Sequence, residues 1–157
     1  MERRFNYGTA APGAYRAMSG LERYLHECSL EERLIHLVKL RASQINGCAY
    51  CIDMHWKDLR ALGEPEHRLY ALDAWEESPF YSEQERAALE WTEAVTRVAD
   101  GHVPDAVYES VRPYFNDTEL ADLTLAVATI NAWNRFGIAF RLPPGHYHPQ
   151  RHAVGVA

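Results

Sequence analysis

Leu37-Val38-Lys39-Leu40-Arg41-Ala42-Ser43-Gln44-Ile45-Asn46-Gly47-Cys48-Ala49-Tyr50-Cys51-Ile52-Asp53-Met54-His55 is the stretch on which the reading of the whole chain turns. Its first half continues an apolar pattern that begins upstream. Leu30, Leu34, Leu37, Val38 and Ile45 recur at helical spacing and give a helix one buried face. Ser29-Leu30-Glu31-Glu32 reads as a capping box, the serine oxygen accepting from a free N–H of the first turn while Glu32 reaches back. The helix is expected to run from there to about Gln44. Asn46-Gly47 supplies residues that tolerate positive φ, so a turn between two helices follows. The next helix opens at Cys48, runs to about Leu62 and stops at Gly63, with Pro65 preventing continuation.

Working outward, residues 1–20 carry Gly, Pro and Ala with little periodicity and read as an N-terminal arm. Phe5, Tyr7 and Tyr15 point to docking of that arm on a neighbour or on the chain's own surface. A short first helix is expected from Leu21 to just before Ser29. Downstream, a helix over 66–75 should end near Ser78-Pro79. Ser82-Glu83-Gln84-Glu85 is a second capping box, opening a helix through Leu89, Trp91, Ala94, Val95 and Val98 to Gly101. Pro104, suited to a first turn, begins another to about Tyr114. Asn116-Asp117-Thr118-Glu119 caps the longest, in which Leu120, Leu123, Val127, Ile130, Trp133 and Phe140 can line a core face. Pro143-Pro144-Gly145 ends it, and residues 143–157 form a tail. No run alternates with a two-residue period, so the fold class is all-α: one helical bundle with a Cys-x-x-Cys pair at a helix N-terminus.

Composition narrows the function. The length of 157 residues fits one domain that buries a full core without staples, and 47% hydrophobic with 24% charged residues is ordinary for a globular protein. With 22 acidic against 16 basic residues the formal charge is −6, which works against binding a phosphate backbone. No stretch approaches the ~18 to 20 apolar residues that cross a bilayer. Neither nucleic acid nor membrane is an expected partner, and a cytoplasmic location is expected. Three cysteines are too few for the disulfide framework of a secreted domain. In a reducing compartment a Cys-x-x-Cys pair points to redox work or metal binding.

On a helix, Cys48, Cys51 and His55 fall within roughly 60° of arc, with Cys51 and His55 one turn apart. His55 is better placed to serve Cys51 than Cys48, which lies about 10 Å away along the axis. A thiol reacts as its thiolate, and the free N–H groups and positive dipole end of a helix N-terminus stabilise that anion. Proton exchange with His55 adds to the effect. Once one sulfur is a sulfenic acid, a second thiol one turn away condenses with it to a disulfide, which an external dithiol must reduce. A zinc site using both sulfurs and His55 is the competing reading, but the axial offset is awkward for one tetrahedral ion. No metal and no cofactor are expected. Cys28 reads as a buried or incidental thiol, Tyr50 as a packing residue, and His146, His148 and His152 as adventitious metal binders at most.

The quoted run strongly resembles the AhpD-like alkylhydroperoxidases, within the carboxymuconolactone decarboxylase superfamily. The Ser-Gln-x-Asn-Gly-Cys-x-x-Cys-x-x-x-His string from Ser43 to His55 carries the likeness, which extends more loosely over residues 20–142, Asn131-Ala132-Trp133-Asn134-Arg135 included. The resemblance implies an all-α fold, reduction of hydrogen peroxide or organic hydroperoxides, and assembly as a homo-trimer or hexamer. It also implies that Cys51 takes the peroxide and becomes the sulfenic acid, while Cys48 is proton donor and resolving thiol. The dipole argument alone favours Cys48 as the more acidic thiol. One departure stands out: the family has a glutamate of a proton relay twelve residues before the first cysteine, and this chain has His36 there. An imidazole also shuttles protons, with an ordinary pKa of about 6.5 against about 4.3 for glutamate. Glu32, one turn earlier, is in reach as its partner. The expected reductant is a lipoyl-type or thioredoxin-like dithiol. A general disulfide oxidoreductase and a non-catalytic metal-binding helical oligomer are the alternatives. Lactone or decarboxylase chemistry, found elsewhere in the superfamily, does not rely on a cysteine pair, so the pair counts against it.

Overall fold

A computed structural model describes residues 2–149, and among the described residues there are helices and no strand. The helices in chain order are α1 (Tyr7–Ala10), α2 (Pro12–Glu27), α3 (Glu32–Asn46), α4 (Ala49–Ala61), α5 (Glu66–Tyr70), α6 (Glu83–Thr96), α7 (Val98–Gly101), α8 (Asp105–Val111) and α9 (Asp117–Phe140), with a 3-10 turn at Leu72–Ala74. The all-α expectation holds. None of these helices is long and apolar enough to cross a membrane.

At the centre lies α3, which packs on α4, α6 and α9. Leu30, Leu34 and Val38 join Ala88, Trp91, Phe115, Leu123 and Ala126 in the largest apolar cluster. Leu37 and Leu40 join Leu59, Leu69, Leu72, Trp75 and Leu89 in a second one. The helix is thus apolar on two sides, and where charged groups must pass through it they are paired. Lys39 meets Glu22, and Arg41 meets Asp73 and Glu93. A buried ion that lost its partner would be strongly destabilising, so these pairs also fix how α2 and α6 sit on α3.

Several boundaries differ from the sequence reading. The first long helix begins at Pro12 rather than Leu21, with Pro12 in its first turn, where a missing N–H costs nothing. The segment expected as an arm is therefore largely helical. Its weak periodicity misleads because its aromatic rings supply the packing: Tyr7 meets Phe136 and Phe140, Phe5 meets Phe140, and Tyr15 meets Trp133. Ser29 caps nothing. Leu30 is drawn into the core ahead of the helix, α3 starts only at Glu32, and its N-cap is Glu31 without a side-chain bond. The helix expected over 66–75 is α5 plus the 3-10 turn. The one expected to reach Gly101 breaks at Arg97, beyond which Val98 is half exposed and finds no core to prolong it. Pro104 is an N-cap rather than a first-turn residue, and α8 ends at Val111. The last helix stops at Phe140, before the prolines, on Arg141 in the left-handed region.

The other two predicted caps form as expected. At Ser82 and at Asn116 both halves of a capping box are present, with Glu85 and Glu119 returning the bond. Because α9 is the longest helix and borders two other helices at the cysteines, its start is worth testing. Asn116→Ala is expected to cost about 1 kcal/mol, measured as a lower urea midpoint with an unchanged m value.

Candidate active site

Gly47, at φ 70°, closes α3 in the left-handed conformation and turns the chain sharply into α4. The position favours glycine, since a side chain there is strained. Cys48 is then the N-cap of α4, not a helical residue as expected, and its Sγ accepts the Cys51 N–H at 3.4 Å. Cys51 lies in the first turn. The two Cα atoms are 5.3 Å apart and the sulfurs are at disulfide-bonding distance.

Three asparagine contacts hold this turn. Asn46 donates from Nδ2 to Asn131 Oδ1 at 2.9 Å and to Asn134 Oδ1 at 2.8 Å, and Asn134 in turn donates to Ser43 Oγ at 3.0 Å. The end of α3 is thereby fixed to α9 through groups that are satisfied in place. Within the same patch Trp133 donates its indole N–H to Glu22, and Arg135 bonds back to Asn131. Gly137 of α9 touches the sulfurs directly: a Cβ there would stand 2.9 Å from Cys48 Sγ and 3.5 Å from Cys51 Sγ. Nothing in the sequence reading singled Gly137 out. Its signal was a glycine inside a long helix, where it costs up to about 1 kcal/mol relative to alanine and so points to close packing.

Both cysteines are closed off, at 1% and 2% exposure. They pack with Ala42 and Ile130, under Tyr50 and Trp133. Tyr50 therefore packs, as expected, while also lining an open cleft with Tyr7, Tyr15, Leu142 and Tyr147. Cys28 is a half-buried free thiol whose Sγ donates to the Leu25 carbonyl.

His55 sits one turn after Cys51 and is 3% exposed. Among the described residues its Nε2 has no hydrogen-bond partner, while its Nδ1 lies 3.1 Å from Nδ1 of His36 on α3. Asp58 completes the group: its Oδ2 is 3.6 Å from the Nδ1 of each histidine, and its Oδ1 accepts the Tyr147 hydroxyl at 2.6 Å. Glu32 stands 3.8 Å from Nε2 of His36. The structure thus brings His36 and His55 together and adds Asp58 and Tyr147, which sequence reading missed. Asp58 had a local signal, three residues after His55 and so on the same helix face. Tyr147 had none.

Burial pushes His55 below the ordinary histidine value, against the pull of the Asp58 carboxylate. Burial pushes Asp58 upward, but the nearby imidazoles of His55 and His36 and the bond from the Tyr147 hydroxyl outweigh it and hold its carboxyl below the ordinary range. The Tyr147 phenol is pushed up by burial and by Asp58, so it stays a donor. The tail is docked here as far as Tyr147: Lys57 reaches the Gly145 and Tyr147 carbonyls, and Asp53 accepts the Gly145 N–H. His146 and His148 do not join the histidine–aspartate cluster, and His152 lies outside the described residues.

Comparison with known proteins places the chain. The carboxymuconolactone decarboxylase family model matches residues 12–94. The chain is 43% identical over 139 residues to the uncharacterized protein YdfG of Bacillus subtilis, covering 88% of this chain and 95% of that one. A crystal structure of a protein of unknown function from Agrobacterium tumefaciens, presented as a candidate AhpD antioxidant-defence protein, superposes with a TM-score of 0.87 at 46% identity, over 95% of this chain and 99% of that one. The debrominase Bmp8 superposes with a TM-score of 0.76 at 19% identity, over 88% and 74% of the two chains, and shares the fold.

Proposed function

The chain belongs to the carboxymuconolactone decarboxylase family, and from that premise and the Cys48–Cys51 pair we propose that it is a thiol peroxidase that reduces hydrogen peroxide or organic hydroperoxides. The observation that carries the reading is two sulfurs within bonding distance at a helix N-terminus, one turn before a buried histidine whose Nε2 is unpartnered.

Cys51, Cys48, His55 and His36 are the proposed catalytic group. In the tautomer that donates its Nδ1 hydrogen to His36, His55 presents a lone pair at Nε2 to take the Cys51 proton. The Cys51 thiolate attacks one oxygen of the peroxide and the O–O bond breaks. Cys51 becomes a sulfenic acid, and the leaving alkoxide or hydroxide collects the proton from His55. The Cys48 thiol then attacks that sulfur, forming the disulfide and releasing water. An external dithiol restores both thiols and is itself oxidised, so the sum is peroxide plus dithiol to alcohol, water and disulfide. His36 and Glu32 extend the proton path toward solvent in place of the family's glutamate.

The depth of the sulfurs favours a small oxidant and a slender reductant. A lipoyl-type dithiol on a flexible arm reaches a closed site more readily than a thioredoxin face. A homo-oligomer, trimer or hexamer, belongs to the same reading.

The test is mass spectrometry of the reduced protein before and after one equivalent of hydrogen peroxide. A loss of about two mass units, traced to a Cys48–Cys51 linked peptide, is expected. Prior alkylation of the reduced thiols should block it. Unchanged mass, together with thiols that resist alkylation after reduction, would remove the peroxidase reading, because the pair would then be sealed in both states.

A further inference from the structure

We propose that His36, His55 and Asp58 form a binding site for a divalent first-row transition ion of the zinc class, separate from the cysteine pair. Their donor atoms, two Nδ1 and one Oδ2, stand at the corners of a triangle with edges of 3.1, 3.6 and 3.6 Å. The centre of that triangle is about 2.0 Å from every corner, which is the length of zinc–nitrogen and zinc–oxygen bonds. Hydrogen bonding accounts for one edge only. The carboxylate oxygen is equally far from both nitrogens and too far for a bond to either, as when three ligands surround a common point.

The donor chemistry selects among ions. Two imidazoles and one carboxylate suit zinc, cobalt, nickel or copper, whereas calcium and magnesium take oxygen ligands. The ligands come from two packed helices, α3 and α4, so their spacing is held by the core rather than by a loop. Tyr147 hydrogen-bonds the other oxygen of Asp58 and orients the carboxylate, as outer partners of metal ligands do. His36 and Asp58 line an open cleft of about 840 Å³, with Glu32 and Tyr147 at the same wall. The cleft gives an ion its approach to His36 and Asp58, and His55, 3% exposed, completes the set from the buried side.

Occupancy has a consequence for the cysteines, and this part alone rests on the peroxidase reading. An ion on Nδ1 leaves the proton of His55 on Nε2, so His55 no longer accepts the Cys51 proton. The loaded protein is then the resting form and the ion-free protein the active one.

The experiment uses Zn2+ and Co2+ as probes on four proteins: the natural chain, a Cys48→Ser/Cys51→Ser double variant, Asp58→Asn and His36→Gln. Asp58→Asn keeps an acceptor for Tyr147, and each variant's own melting temperature is read first to establish folding. The natural chain and the double cysteine variant are expected to bind one equivalent of Co2+ with visible ligand-field bands that Zn2+ displaces. Affinity should fall at least about tenfold in Asp58→Asn and in His36→Gln, and Zn2+ should raise the melting temperature of the first two proteins only. Equal binding by all four, no saturable binding by any, or loss of binding with the cysteines would overturn the site. Peroxide turnover with and without Zn2+ is read separately. A chain that binds the ion but never reduces peroxide keeps the site and loses the gate.

Discussion

Cys51→Ser is expected to lower peroxide turnover by at least about a thousandfold, the scale seen when a covalent nucleophile is removed, while Cys48→Ser leaves one oxidation event per chain. The two variants separate roles that the local geometry leaves in competition. As N-cap, Cys48 accepts the Cys51 N–H, which favours a thiolate on Cys48. A capping bond of this kind is worth about 1 kcal/mol, or under one pKa unit. A histidine paired with a cysteine does more, taking thiol values from about 8.5 to as low as 3 to 4. His55 is one turn from Cys51 and carries the unpartnered Nε2, so the larger effect falls on Cys51. In Cys48→Ser the sulfenic acid on Cys51 has no resolving thiol and should persist, giving a dimedone adduct on Cys51 after one equivalent of peroxide. Full turnover by Cys51→Ser with the adduct on Cys48 would reverse the assignment.

The parts of this site that were legible in the sequence are those set by local spacing. Cys48, Cys51 and His55 lie within eight residues on one helix and its cap, so helical geometry alone relates them. His36 was legible only as an offset from the family pattern, and its 3.1 Å approach to His55 depends on how α3 packs against α4. Asp58 was close at hand, yet a carboxylate near the end of a helix is ordinarily solvated, and only the docked tail with Tyr147 gives it a buried role. The fold followed the same division. Capping boxes at Ser82 and Asn116 are local hydrogen-bond arrangements and formed as read. The start of α2 was missed because Gly13 and Gly20 weaken its local preference, and contacts from Tyr7 and Tyr15 to the distant Trp133 and Phe136 override it.

Gly137→Ala is expected to shift stability in opposite directions in the two redox states. An alanine inside a helix is favoured over glycine by about 0.8 to 1 kcal/mol, and in the reduced protein little opposes that gain. Each thiol there swings about its own χ1 to another rotamer, away from the new methyl group. In the oxidised protein the two sulfurs are tied and cannot leave independently, yet the added carbon would lie 2.9 Å from Cys48 Sγ. Overpacking of this kind costs about 1 to 3 kcal/mol, enough to cancel the helical gain or exceed it. The difference between the states, about 1 to 3 kcal/mol, raises the disulfide potential by roughly 20 to 60 mV. Melting curves with and without reductant should show the variant above the natural chain when reduced and below it when oxidised, and a titration against a lipoyl dithiol should find its disulfide easier to open. Equal shifts in both states would mean that α9 moves aside to admit the methyl group, and the close approach of helix and sulfurs would then place no constraint on the redox pair.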